Sequence, residues 1–288
     1  MRANSWFERS VDRERAPVAA VDIGPRTARW MVLERSAPGW RVQTWQWAVM
    51  PGWVDGGHVM DFLALSDALS LWLAEAGQRR VALSLPPEIC DCQLFKPPFR
   101  ARWWRPGRWL EQQIRPTGQG EPPVWVAHRA AEPAAHWRVV SAPLDRVQDW
   151  QGLIEAAGCE LLVLEDAHQA SWRALERWSA APQPGAVLLQ VGSACVQALR
   201  EHNGRWHWAW RARQPEQDLL RLGLETALSH SAVFLIGEGD LADALRSALH
   251  EAGCDLREPI LDPALQVDAS FGAGSWSVLG LASLGGRS

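Results

Sequence analysis

Three short glycine-containing segments stand where apolar runs stop. Asp22-Ile23-Gly24 follows the run at 18–21, Gln190-Val191-Gly192 closes the run at 187–191, and Gly237-Glu238-Gly239 follows the run at 233–236. A strand that runs into a glycine turn leaves backbone N–H groups outside any ladder, and such groups cradle phosphate oxygens. Glycine admits the anion closely because it carries no Cβ. Two such turns facing each other would grip a polyphosphate from both sides. Asp22, Gly24 and Thr27 would serve the first turn, and Gln190, Gly192 and Ser193 the second. Gly237 and Gly239, ahead of a helical stretch, would let an adenine-ribose unit lie against bare backbone. Each segment alone is a weak signal, and their order along the chain is more specific than any one.

Other candidate chemistry is thinner. Cys90 and Cys92 are two thiols at i, i+2 with no second pair nearby, which is poor zinc spacing and reads as buried packing. His202 and His207 flank the Asn203-Gly204 turn with no acidic partner in reach, and read as solvated hairpin residues. Trp206, Trp208 and Trp210 alternate on the returning strand, so period two places them on one face. They read as a packed sheet face or, alternatively, as an apolar docking patch. Lys96 is the single lysine beside 28 arginines, so any lysine-dependent mechanism has one candidate. The segment RWWRPGRW (102–109) interleaves arginines with tryptophans. It suits surface cation–π packing, peptide docking, a membrane surface, or stacking with nucleic-acid bases.

Composition narrows the field. The chain has 288 residues, 47% hydrophobic and 22% charged, which excludes a disordered chain. A net charge of -4 argues against bulk nucleic-acid binding, since that mode needs a basic surface. No apolar run approaches the ~20 residues of a membrane span. Residues 1–17 carry charges of both signs and no apolar stretch, so the expected location is the cytoplasm. Five cysteines without paired spacing fit a reducing compartment. The 19 tryptophans and absent tyrosine read as genomic base bias.

The elements that must position the turns follow from patterning. A three-stranded meander is expected over 18–49, a helix over 62–76 with Gly77 as its stop, and a strand at 81–85. The pattern breaks down over 88–133. A strand at 137–142, a helix at 144–157, a strand at 160–164 and a helix at 167–178 then lead to a proline-rich linker at 180–185. Beyond it the beginning recurs. VAAVDIGPRTARWMVLE and AVLLQVGSACVQALRE share the order apolar strand, polar residue, apolar residue, glycine, polar turn, apolar strand. A duplicated α/β domain with a cleft between the copies explains this. The alternative is a chance likeness of two hairpins.

Read together, these residues resemble the actin-like (ribonuclease H-like) fold. Within it they resemble the PilM family of type IV pilus assembly, including its short HofM-type members. The likeness runs over about 18–284. It is carried by VDIGPRTARWMVLE, by GWVDGGHVMDFLALSDALSLWL, by the passage VVSAPLDRVQDWQGLIEAAGCELLVLEDAHQASWRAL, and by the closing VDASFGAGSWSVLGLASLGG. It implies an α/β duplicated fold whose second half is reduced. The expected layout is a polar tail at 1–17, a first half at 18–182 with a small inserted subdomain about 88–136, and a second half at 183–288. It also implies a site for ATP with magnesium. Departures from the family pattern weaken that site. Pro25 and Arg26 replace hydroxyl residues, Arg29 takes a lysine position, and Gln190 replaces a carboxylate that a hard cation prefers. Gly192 and Gly237 lie only 45 positions apart, where the family inserts a subdomain that closes over nucleotide. The expectation is therefore a pseudo-ATPase with no required cofactor. It would act as a cytoplasmic scaffold of a type IV pilus or DNA-uptake (competence) platform, peripheral to the inner membrane through its partner. The resemblance implies that it binds the cytoplasmic tail of a PilN-like bitopic protein, with a pilus motor ATPase as a further partner. Trp103, Trp104, Arg105 and Trp109 are the partner-binding candidates. The alternatives are an active ATPase of the actin/sugar-kinase type and a nucleic-acid-binding protein using Arg102 to Trp109.

Overall fold

A computed structural model describes residues 18–36, 39–96, 98, 106–114, 123–129, 136–213, 216–263, 265–266 and 275–285. Strands β1 (Ala19–Ile23), β2 (Thr27–Ser36) and β3 (Gly39–Val49) form the expected meander. A small hairpin, β4 (Val54–Asp55) and β5 (His58–Val59), leads into helix α1 (Phe62–Glu75). Asp61 caps that helix by accepting from the Ala64 amide at 3.0 Å, and Gly77, at φ +64°, follows its end. Strand β6 (Arg80–Leu85) completes the first run.

The stretch without a legible pattern holds regular structure. Strand β7 (Asp91–Phe95), helix α2 (Pro106–Gln113) and strand β8 (Val124–Arg129) precede β9 (Trp137–Ala142). The three strands pair in the order β7-β9-β8 as a small separate sheet. Prolines and arginines obscure its period in sequence, because a short strand needs only a few inward residues to pair. Then come α3 (Leu144–Ala156), β10 (Glu160–Asp166) and α4 (Ala167–Trp178). The second run is β11 (Ala186–Val191), β12 (Val196–His202), β13 (Arg205–Ala212), α5 (Glu216–Leu228), β14 (Ala232–Gly237) and α6 (Asp240–Glu251). Short strands β15 (Leu256–Arg257) and β16 (Leu265–Gln266) and helix α7 (Trp276–Gly285) close the chain.

The two large sheets repeat one topology. The first is ordered β10-β6-β1-β2-β3-β16 and the second β13-β12-β11-β14-β15. In each, three antiparallel strands precede two parallel ones. A single helix, α5, links β13 to β14, and among the described residues the second run has no counterpart of the small sheet.

Period two gives each sheet two buried faces. Ala19, Val21, Val81 and Leu83 face α1 and α3, whose Leu65, Leu69, Trp150 and Leu153 cover them. Val187, Leu189 and Leu235 face Leu219 of α5 and Leu241 and Leu245 of α6. Between the sheets lies a shared core. There α4, through Ala170, Ala174 and Trp178, and α7, through Trp276, Val278 and Leu281, pack with Ala20, Met31 and Leu188. The two helices approach closely at Gly280, where an added Cβ would meet the Ala170 carbonyl.

The tryptophans of β13 do not share one face. The register slips between Ala198 and Leu199, pairing Ala198 with Trp210 and Leu199 with Trp208. The extra residue, Ala209, is a bulge that reverses the alternation. Trp206 and Trp208 therefore join the central core, whereas Trp210 joins the outer one. Trp206 is buried, which removes the reading of the three as a docking patch. His202 and His207 flank the turn with their rings edge to face at 5.6 Å, and the Glu201 carboxylate lies near enough to interact with both, so an acidic group is in reach after all.

Candidate functional site

The same alternation that builds the cores aims two polar side chains into the cleft between the sheets. Asp22 shares the inward face of Ala20, and Gln190 that of Leu188. Their cross-strand partners occupy equivalent positions, Asp22 opposite Arg29 and Gln190 opposite Gln197. Both turns close with the same bond. The Gly24 amide donates to the Thr27 carbonyl at 2.8 Å, and the Gly192 amide to the Cys195 carbonyl at 2.8 Å. Asp22, Gly24, Gln190, Gly192, Ser193 and Gly237 line one cleft of about 80 Å³. At about 10–15 Å³ per water, that is room for several waters. Thr27 reaches the same place through Glu238.

Each turn already holds an anion. The Glu238 carboxylate lies against Gly24, where an added Cβ would collide with it. The Thr27 hydroxyl donates to both its oxygens at 2.8 Å, and Arg29 pairs with it. The Glu88 carboxylate likewise lies against Gly192. It accepts from the Ser193 amide, from the Ser193 hydroxyl at 2.9 Å and from the Ala194 amide at 3.3 Å. These are the donors and charges a phosphate would use. In the sequence Glu238 stands out only as the middle of a glycine pair, and Glu88 does not stand out at all. The one signal for each was a carboxylate close behind a strand end, Glu238 directly after β14 and Glu88 behind the proline pair that ends β6.

Backbone geometry aims both carboxylates. Gly237 has φ +134° and packs against the Val191 carbonyl, and Gly239, at φ +100°, caps α6. These left-handed conformations turn Glu238 back toward the first turn. On the other side, Arg213 donates to the Glu88 carbonyl at 2.8 Å and Arg211 to the Pro87 carbonyl at 2.8 Å. The hairpin turn at Gly57 presses on Ile89 and Pro86, and Trp150 donates to its carbonyl at 3.2 Å.

The groups that should serve magnesium are engaged elsewhere. Asp22 accepts from the hydroxyls of Ser84 and, at 2.6 Å, Ser277, with Arg29 at 3.6 Å. Gln190 donates to the His168 carbonyl at 3.2 Å and accepts from Gln197 at 2.5 Å. Both turns are thus filled by carboxylates, and the Asp22 carboxylate is taken up by two hydroxyls and Arg29. Among the described residues no group of His, Cys, Asp and Glu is arranged for a metal. Cys90 is buried and its thiol is pushed well up by burial, as suits packing.

His168 is a cleft residue that sequence reasoning missed. It is 5% exposed, and neither ring nitrogen has a hydrogen-bond partner among the described residues. Burial, helped by the nearby Arg211 charge and opposed by Asp166, lowers its pKa to about 3.

Of the partner-binding candidates, Trp103, Trp104 and Arg105 lie outside the described residues. Trp109 is half-buried on α2, edge to face with Phe95 at 6.2 Å. It stands on the small sheet, away from the cleft lining. No helix among the described residues is long and apolar enough to cross a membrane.

No protein-family model matches the sequence, and no curated protein matches it. Solved structures do match. A chain of the "PilM-PilN type IV pilus biogenesis complex" is similar at 18% identity and TM-score 0.71, over 96% of this chain and 100% of that one. The cytoplasmic domain of EpsL, an inner membrane component of the type II secretion system of Vibrio cholerae, is similar at 12% identity and TM-score 0.50, over 94% and 96%. A Bacteroides thetaiotaomicron protein with actin-like ATPase fold is similar at 7% identity and TM-score 0.52, over 95% and 98%. The chain has the actin-like fold, as its sequence leads one to expect.

Proposed function

We propose that this protein is a cytoplasmic scaffold of a type IV pilus or DNA-uptake inner-membrane platform, and that it does not hydrolyse ATP. The observation that carries the second clause is the filling of both anion turns by Glu88 and Glu238. Phosphoryl transfer depends on positioned donors and a metal that neutralise developing charge. Here the donors are already satisfied, and two carboxylates would repel incoming phosphates. The fold likeness to a chain of the PilM-PilN complex supports the first clause. On this reading the protein holds the N-terminal cytoplasmic tail of a PilN-like bitopic protein. That partner brings it to the inner membrane and within reach of a pilus motor ATPase.

The tail would dock on the small-sheet subdomain, with Trp103, Trp104, Arg105 and Trp109 as aromatic and cationic contacts. Ordering a flexible tail costs about 2–5 kcal/mol, which holds the affinity to roughly the micromolar range. A synthetic peptide of the cytoplasmic tail of a PilN-like protein encoded beside this chain tests the reading by fluorescence titration. Saturable binding, weakened about tenfold by Trp109→Ala, is expected. A peptide that fails to bind the intact chain overturns the partner. Phosphate released from ATP and magnesium above background overturns the pseudo-enzyme.

A further inference from the structure

Glu88 stands just after β6 of the first sheet but serves the turn of the second. Glu238 stands just after β14 of the second sheet but serves the turn of the first. The exchange is reciprocal, and both contacts bridge the cleft. We propose that Glu88 and Glu238 form a carboxylate latch, in which each lobe lends one carboxylate to the anion turn of the other. The chain thereby holds its own cleft shut, and the turns accept a polyphosphate only when the latch is out.

Three features make this a built device rather than two incidental contacts. First, each glycine is needed: a Cβ at Gly24 or at Gly192 would strike the carboxylate seated there. Second, each carboxylate is held from behind, Glu88 by the bond from Arg213 to its carbonyl and Glu238 by the left-handed glycines on either side. Third, the same two lobes are tied again beside the cleft, since Arg26 pairs with Asp240 and, at 2.7 Å, with Asp243 in the first turn of α6.

The magnitudes explain why the latch wins. Hydrogen bonds to an ionised acceptor are roughly twice as strong as neutral ones. A tethered group also competes at an effective concentration of about millimolar or more. A free anion must therefore outcompete a carboxylate already held beside the same donors, which raises its apparent dissociation constant. Removing the carboxylates leaves the donors behind: the Thr27 hydroxyl and Arg29 in one turn, and the Ser193 and Ala194 amides in the other. Those are the groups that suit two phosphoryl units of an oligophosphate. The latch rests on the reading of the cleft as non-catalytic. It does not involve Trp109, so its failure leaves the peptide titration standing.

The test uses Glu88→Ala, Glu238→Ala and the double variant, with inorganic tripolyphosphate as the probe and sodium chloride at matched ionic strength as control. Calorimetry should show no binding to the unaltered chain at about 1 mM and a gain of about 10–100-fold in the double variant, the single variants falling between. The probe should also raise the melting temperature of the variants and not that of the unaltered chain. The latch is overturned if the double variant binds no more tightly than the unaltered chain, or if the unaltered chain already binds at micromolar concentration. Should the double variant not fold, the single variants decide, each retaining one carboxylate. In Glu88→Ala the Ser193 and Ala194 amides should then exchange hydrogen about tenfold faster. Unchanged exchange there counts against the latch.

Discussion

Arg211, on the third strand of the second sheet, grips Asp166, the cap of α4, from across the central core. Its Nη1 donates to Oδ2 at 2.5 Å and its Nη2 to Oδ1 at 3.1 Å, with both side chains within 3% of full burial. Burial works against both charges, but the pairing wins. The Asp166 carboxyl is held below its usual range and the Arg211 guanidinium well above its own. The same arginine donates to the Pro87 carbonyl, so this pair also fixes the loop that carries Glu88.

Removing one partner should be far worse than removing both. Asp166→Ala strands a buried cation and is expected to cost about 3–5 kcal/mol in urea unfolding. The double replacement Arg211→Met with Asp166→Leu should recover a large part of that loss, as apolar groups of similar volume need no compensation. A double variant as unstable as the single one would show that the pair does more than neutralise itself.

Gly280 gives a prediction whose sign is contrary to helix propensity. In an ordinary helix interior, alanine in place of glycine gains about 0.5–1 kcal/mol. At Gly280 the new methyl would strike the Ala170 carbonyl, a backbone atom that cannot swing aside. Gly280→Ala should instead destabilise by about 1–3 kcal/mol through overpacking between α4 and α7. Thermal unfolding of Gly280→Ala beside Gly152→Ala, whose site on α3 is open, separates the two effects.

His168 should make the protein acid-sensitive well above the carboxylate range. Its folded pKa of about 3 lies below the unfolded value near 6.5, so the unfolded chain binds the extra proton first. Stability from this group is fully present above about pH 6.5 and drains as pH falls toward the folded value. Between pH 7 and pH 4.5 the loss should be roughly 2–3 kcal/mol at 1.36 kcal/mol per unit. Asp166, whose pKa is lowered, adds its own loss only at still lower pH. A His168→Phe variant should show a flatter profile over the same window in chemical denaturation.

Asp22 should behave as a structural residue. Asp22→Ala leaves the Ser84 and Ser277 hydroxyls without their acceptor and Arg29 with Glu238 alone, at a cost of about 1–3 kcal/mol. Phosphate release with ATP and magnesium should stay at background before and after the substitution. A measurable rate that disappears with Asp22 would identify an active nucleotide site.

Local pattern made the repeat legible. The runs before Gly24 and Gly192 alternate with the same phase, so Asp22 and Gln190 had to emerge on equivalent faces, and the sheets agree. The helices at 62–75, 144–156 and 167–178 were visible because each presents apolar residues at helical spacing. Of the small sheet only the strand at 137–142 was legible, since the other two lie among proline- and arginine-rich stretches that hide their period. The bulge at Ala209 was hidden too, because one inserted residue leaves the Trp-x-Trp-x-Trp spelling unchanged while reversing a face.

The sequence by itself determined two glycine turns at matched ends of two matched meanders, because strand alternation and turn chemistry act over a few residues. Only the tertiary structure decided what occupies those turns. Glu88 is 105 positions from Ser193, and Glu238 is 211 from Thr27. A contact across such a separation depends on how two lobes are set by α4, α7 and the Arg211–Asp166 pair. Nothing in the local spelling of either carboxylate encodes it.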